Sequence, residues 1–439
     1  MTKIHPITTQ KSTGLQGQLR APSDKSISHR ALILGTSCIG ETTISNLLEA
    51  EDIMATADAM RALGGYIEKM DNADWLVRGV GTGGLSQPAK ALDFGNSGTG
   101  IRLCLGLIAS HNMTVDFTGD SSLSKRPMGR VLNPLADIGA TVVNDNTRLP
   151  LTLKGASNPL PIEYTLPVAS AQVKTAILLA GLNTPGTMTV IEPEATRDHT
   201  ERMLSYFGAE VNIEPFENGR RIQLTGQPEL QPGHINVPAD PSSAAFPIVA
   251  ALIVPGSDIL LTDVMLNPTR TGLITTLKEM GGNIKILNQR DEGGETIGDL
   301  RVKTSDLKGV TVPADRAPSM IDEYPVLSIA AAFASGKTHM TGLAELRVKE
   351  SDRLAAVAAG LKACGVKHDE GKDDLTVYGS DSVAGGGLIK THMDHRIAMA
   401  FLIMGLGSEK PVTIDDGAII ATSFPGFVEK MTALGATFA

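Results

Sequence analysis

At 439 residues, with 42% hydrophobic and 20% charged side chains, the chain can bury two hydrophobic cores and is not wholesale disordered. A net charge of -9, one Trp and 4% aromatics leave neither the basic face nor the stacking platforms that nucleic-acid binding needs. The opening MTKIHPITTQKSTGLQGQLR has no apolar core of signal-peptide length, and no stretch reaches the roughly eighteen apolar residues of a membrane span. Three cysteines without a CxxC fit a reducing compartment, so the expectation is a cytoplasmic chain with no nucleic-acid or membrane partner.

Taken in chain order, the predicted elements repeat six times. Each copy opens on a polar cluster that starts an apolar helix: SDKSISHR from Ser23, NSGTGIR from Asn96, ASAQVK from Ala169, DPSSAAF from Asp240, DEYPVL from Asp322 and DHRIAM from Asp394. The helix bodies, such as RALILG and RLCLGLIA, are apolar nearly all round and are expected inside a domain. A short strand follows (TTIS, MTVDF, MTVIE, DILLT, THMTG or VTIDD), then an amphipathic outer helix. That helix stops on an apolar-Gly-small triplet at Gly64, Gly139, Gly208, Gly281, Gly365 and Gly435, because glycine takes the left-handed turn without a Cβ penalty. The triplets recur at roughly seventy to eighty residues.

Two further strands close each copy, as in LPLTLKG and RRIQLTG. The sixth copy reaches Ala439 without them, and the first twenty residues look like the missing strands. The pattern predicts an α/β fold of two similar domains, each of three repeat units with buried parallel helices. Residues 1–20 and 240–439 form one discontinuous domain, 21–239 the inserted one, and the chain crosses between them near residues 20 and 239.

Backbone N–H groups at a helix start are unpaired and partly positive, so twelve such starts offer an anion-binding cavity. Lys25, Ser26, Arg30, Asn96, Arg102, Ser170, Gln172, Lys174, Asp322, His395 and Arg396 fall at the first turns of the buried helices. Comparable positions of the outer helices hold Lys125, Arg126, Arg197, Arg270, Lys349, Glu350 and Arg353. Caps and solvated charges account for any one of these. They do not account for clustered Arg and Lys, which the helix dipole disfavours at an N-terminus and which a multiply anionic substrate would offset.

Other motifs carry no chemistry. Gly79-x-Gly81-x-x-Gly84 lacks the following helix of a dinucleotide site and reads as a turn, and Ser335-Gly336-Lys337-Thr338 lacks the first glycine of a P-loop. Cys38, Cys104 and Cys364 occupy core slots. No histidine pair has metal-ligand spacing, so neither a metal nor a cofactor is expected.

The segments SDKSISHRA (23–31), GNSGTGIR (95–102), GDSSLSKRPM (119–128), ASAQVKTAILLAGL (169–182), TRDHTERML (196–204), IDEYP (321–325), RVKESDRL (347–354) and MDHRIAMAF (393–401) closely resemble those of the enolpyruvyl transferases. The resemblance runs along essentially the whole chain. It implies an inside-out α/β barrel-like fold whose two domains close on the substrates. It also implies transfer of the enolpyruvyl group of phosphoenolpyruvate to the 5-hydroxyl of shikimate 3-phosphate, with glyphosate as inhibitor and a monomeric chain.

Carried over residue by residue, it assigns Lys25, Ser26, Arg30, Ser170, Ala171, Gln172, Arg197, Asp322 and Lys349 to shikimate 3-phosphate. Phosphoenolpyruvate takes Lys25, Gly98, Gln172, Arg126, Arg353 and Arg396. Asp322 is then the base toward the hydroxyl, and Glu350, with Lys25, the proton donor to carbon.

Family members acting on UDP-N-acetylglucosamine carry a reactive Cys before the Arg-Pro of the second copy, where this chain has Ser121-Ser122-Leu123-Ser124. A non-catalytic phosphate-ligand binder would not need Asp322 and Glu350. Thr422 stands where many members have Lys, and Ala171 where many have Ser, as in a divergent, herbicide-tolerant subgroup. Gly98 stands where Ala accompanies glyphosate tolerance.

Overall fold

The computed structural model describes residues 5–144, 146–217 and 219–439. It divides into two compact units. Unit 1 comprises the described residues up to Pro22 together with Ala239–Arg290 and Thr296–Ala439, and unit 2 comprises Ser23–Pro238 and Asp291–Glu295. The short segment Asp291–Glu295 thus clusters with unit 2 although the chain on either side of it belongs to unit 1.

Among the described residues there are twelve α-helices. Unit 2 holds α1 (Lys25–Ser37), α2 (Glu51–Ala62), α3 (Gly98–Ala109), α4 (Gly129–Ile138), α5 (Ala171–Gly181) and α6 (His199–Tyr206). Unit 1 holds α7 (Pro241–Ile253), α8 (Gly272–Glu279), α9 (Tyr324–Ala332), α10 (Arg353–Ala363), α11 (His395–Gly407) and α12 (Phe427–Ala433). The odd-numbered helices α1, α3 and α5, and likewise α7, α9 and α11, are buried over nearly their whole length, as bodies apolar on every face require.

Polar caps start these helices. Asp24 accepts from the Ile27 N–H at 2.8 Å, Ser97 from Gly100 at 3.2 Å and Asp394 from Arg396 at 2.9 Å, which satisfies amide donors that no helical carbonyl can reach. Helix α9 has no such cap and carries Pro325 as its second residue, whose missing N–H costs nothing in the first turn. The glycines that end the outer helices all have positive φ, from 73° at Gly365 to 111° at Gly139.

Each repeat contributes to a four-stranded sheet, and six such sheets share one strand order. In the third, Glu163–Thr165 runs parallel to Thr187–Glu192, which pairs antiparallel with Gly219–Thr225, which pairs antiparallel with Val211–Phe216. In the sixth sheet the N-terminal strand Ile7–Gln10 stands between Val412–Ile414 and Thr437–Phe438. The next strand, Gln16–Leu19, adds in parallel to Asp258–Met265 of the fourth sheet rather than to the sixth. In unit 2, His234–Asn236, at the end of the third repeat, adds in parallel to Ile39–Ser45 of the first sheet. Each unit therefore closes its three repeats into a ring, because the strand before each crossing stays with the unit the chain is leaving.

The glycine motif read as a turn is one. Gly81 has φ 85° and accepts from the Gly84 N–H at 3.2 Å. A Cβ on Gly79 would lie 2.3 Å from the carbonyl oxygens of Cys38 and Gly35, so only glycine fits there. All three cysteines are buried, and burial pushes the thiols of Cys38 and Cys364 up to about 12 and about 11.

Candidate active site

Unit 2 gathers its site residues at the starts of α1, α3 and α5. On α1, the Arg30 guanidinium is buried and makes three hydrogen bonds to neutral oxygens: Nε to Thr200 Oγ1 at 2.8 Å, Nη2 to Thr175 Oγ1 at 2.9 Å and Nη1 to the Ser26 carbonyl at 2.9 Å. Burial lowers its pKa to about 10; the acids Glu201, Asp24 and Glu295 oppose that, and the nearby positive charge of Arg197 adds to it. Lys25 is exposed and ion-pairs with Asp52 of α2. Burial would raise the Asp52 carboxyl, but contacts with His29 and Lys25 outweigh it and hold the group well below the usual carboxylate range.

Gly98 opens α3, and a Cβ there would lie 2.9 Å from Arg126 Nη1 and 3.1 Å from Arg102 Nη1. Arg126 Nη2 donates to Asn96 Oδ1 at 2.8 Å, and the Asn96 amide donates in turn to Asp120 at 2.8 Å. Arg102 bonds only carbonyl oxygens, those of Gly98 at 3.0 Å and Pro127 at 3.4 Å, and its pKa is lowered by burial and by Arg126 and Arg130. Ser170 caps α5, and Gln172 donates to Thr99 Oγ1 of α3 at 3.1 Å. Lys25, Ser26, Arg30, Gly98, Arg126, Ser170, Ala171, Gln172 and Arg197 all lie in this unit.

Asp322, Lys349, Glu350, Arg353 and Arg396 lie in unit 1, where the arrangement is ionic. Arg353 begins α10 with its side chain 1% exposed and meets three carboxylates. Nε donates to Asp394 at 2.8 Å, Nη1 to Asp322 at 3.0 Å and Nη2 to Glu350 at 2.5 Å. Burial pulls this guanidinium down, and the three carboxylates outweigh burial, so its pKa stands above the ordinary value. Asp394 is also kept low, its burial outweighed by Arg353.

Lys349 Nζ lies 3.9 Å from Asp322, and Arg396 Nη1 lies 3.5 Å from Glu323 and 3.4 Å from the Asp322 carbonyl. Burial raises the Glu323 carboxyl. His395, beside Arg396, is driven down to about 3, first by burial and then by the neighbouring arginines.

Two basic residues of the helix-start series face inward instead. Lys174 is fully buried, with Nζ 3.0 Å from Glu192 and 2.7 Å from Glu201, because the fourth residue of a helix buried on every side has no solvent to reach. Arg270 is 5% exposed and donates to Asp240 at 2.7 Å and Ser242 at 3.0 Å, so it closes the start of α7. Sequence reading missed Asp52, Thr175, Thr200 and Asp394, whose link to the site is contact across the fold. Asp394 alone was signalled, as the cap of an apolar helix.

Among the described residues no group of three or more His, Cys, Asp or Glu could hold a metal ion, and no helix is long and apolar enough to cross a membrane. Two rings of three repeats, one with a buried guanidinium bonded to neutral oxygens and the other with one bonded to three carboxylates, fit a group-transfer enzyme. The family profile described as EPSP synthase (3-phosphoshikimate 1-carboxyvinyltransferase) matches residues 9–431. A 3-phosphoshikimate 1-carboxyvinyltransferase of Methylobacterium sp. (strain 4-46) is 61% identical over 440 residues, covering 99% of this chain and 98% of that one. One of Chelativorans sp. (strain BNC1) is 61% identical over 436 residues, covering 98% and 97%. Among solved structures, EPSP synthase from Acinetobacter baumannii superimposes with a TM-score of 0.93 at 43% identity, covering 100% of this chain and 99% of that one. The chain belongs to the EPSP synthase family, the enolpyruvyl transferases of the shikimate pathway.

Proposed function

We propose that this chain performs the family's transfer with the residues assembled above. In this reading Lys25, Ser26, Arg30, Ser170, Ala171, Gln172 and Arg197 of unit 2 and Asp322 and Lys349 of unit 1 hold shikimate 3-phosphate. Lys25, Gly98, Arg126, Gln172, Arg353 and Arg396 hold phosphoenolpyruvate. The observation that carries it is the placing of Asp322 and Glu350 on two nitrogens of one buried guanidinium.

Arg353 fixes both carboxylates, which gives a base and an acid defined positions. Asp322 takes the proton of the 5-hydroxyl as its oxygen bonds to the central carbon of phosphoenolpyruvate. Glu350, with Lys25, supplies a proton to the methylene carbon, giving a tetrahedral intermediate. Loss of a methyl proton and of phosphate then restores the double bond, while the arginines balance the anionic charge.

Phosphate release measured with shikimate 3-phosphate and, separately, UDP-N-acetylglucosamine tests the acceptor; release with only the second would overturn the reading. Asp322→Ala should slow release by roughly 10²- to 10⁴-fold while shikimate 3-phosphate still binds, and full activity would remove Asp322 from the mechanism. The same reading makes the chain a cytoplasmic monomer that glyphosate inhibits at the phosphoenolpyruvate subsite, with a single-chain mass expected in sedimentation.

A further inference from the structure

Behind the starts of α5 and α6 lies a buried ionic cluster that the reaction does not use. Lys174 of α5, Glu192 at the end of its strand and Glu201 of α6 are each at most 2% exposed, and Arg220 of the neighbouring strand reaches Glu192 Oε2 at 3.1 Å. Two acids and two bases make the cluster neutral. Glu192 Oε1 also accepts from the backbone N–H of Thr196 at 2.9 Å and from its hydroxyl, and Arg220 lies 3.4 Å from the Thr196 carbonyl. The loop between the strand and α6 is therefore gripped at Thr196, one residue before Arg197.

Burying ion pairs is a poor way to gain stability, because desolvation consumes most of the attraction. What such a cluster does provide is a fixed geometry. Arg197 lies close enough to Arg30 for its charge to depress the Arg30 guanidinium, so where the loop holds Arg197 bears on both residues. We infer that Glu192, held by Lys174 and Arg220, is a positioning residue that sets Arg197 for the anionic substrate through its two hydrogen bonds to Thr196. Lys174 extends the same restraint to α5, whose first turn carries Ser170, Ala171 and Gln172. The inference rests on the reading of Arg197 as a shikimate 3-phosphate contact.

Thr196 is half-buried in a loop, so Thr196→Val removes one hydroxyl without opening the core. In steady-state assays of the whole protein, Thr196→Val should raise KM for shikimate 3-phosphate roughly tenfold, the loss of one charge-assisted hydrogen bond, and Thr196→Ser should restore it. KM for phosphoenolpyruvate and kcat should stay within about twofold. Arg197→Ala should raise the same KM, and Thr196→Val added to it should raise it no further, because the two act as one unit. If Thr196→Val shifts both KM values alike, or adds fully to Arg197→Ala, the cluster is only structural and the inference fails. An Arg197→Ala protein with unchanged KM would instead sink the reading of Arg197, and the inference with it.

Discussion

Unit 2 surrounds the buried guanidinium of Arg30 with two hydroxyls and a carbonyl oxygen, whereas unit 1 surrounds that of Arg353 with three carboxylates. Neutral acceptors satisfy a guanidinium's donors and leave its charge for a ligand. Carboxylates satisfy the donors and offset the charge, so in the proposed reading Arg353 orients its partners as well as meeting phosphoenolpyruvate. Two buried arginines on similar rings of repeats thus meet opposite surroundings, and in the proposed reading one attracts an anion while the other holds an acid and a base.

The comparison is sharpest in stability. Arg353→Met would leave Asp394 buried without its guanidinium, and breaking a buried pair from one side costs about 3–5 kcal/mol. Arg30→Met leaves Thr175 and Thr200 bonded to each other at 2.6 Å and should cost about 1 kcal/mol while abolishing shikimate 3-phosphate binding. Calorimetric melting of the two variants checks this; equal losses would break the contrast.

A smaller effect is expected at Gly98. The atoms that a new Cβ would meet are the guanidinium ends of Arg126 and Arg102 and, at 3.7 Å, Leu123 Cδ1, none of them backbone, so the fold can yield. Gly98→Ala should leave the melting temperature nearly unchanged and weaken glyphosate about tenfold, more than it weakens phosphoenolpyruvate. An inhibition constant equal to that of the unmodified chain would refute the assignment of Gly98 to this subsite.

Features set by near neighbours were legible in the sequence. The helix starts at Asp24, Ser97 and Asp394 and the stops at Gly64 or Gly139 depend on a few adjacent residues, so the six repeats and their buried helices could be read from the pattern. Strand exchange was not legible. Gln16–Leu19 looks like a closing strand of the sixth copy, and only its pairing with Asp258–Met265, some 240 residues away in the chain, makes it the opening strand of the fourth sheet. The site divides the same way: Arg353 was found by its motif, but its partner Asp394 lies 41 residues away and no local spacing joins them. Lys174 falls in the basic helix-start series, and the helix-start rule does not say which side of a fully buried turn carries its counter-ions.

The two units also hold their histidines differently, and acid should reveal it. His395 in unit 1 is driven down to about 3 by burial and then by Arg396, with Arg353 adding to it, whereas Asp52 partly offsets the burial of His29 in unit 2. A histidine whose folded pKa lies below its unfolded value near 6.5 binds fewer protons in the native state, so stability rises with pH. The contribution of His395 is complete above about pH 6.5 and is lost as the pH falls toward 3, at no more than about 1.4 kcal/mol per pH unit. Asp394 adds its own loss only below about pH 4, because its pKa is depressed by Arg353 and its stabilisation is present above the unfolded carboxylate value. Urea midpoints of His395→Gln between pH 7 and pH 4.5 should therefore fall less steeply than those of the unmodified chain. Identical slopes would mean that the His395 imidazole is not held neutral by burial and its arginine neighbours.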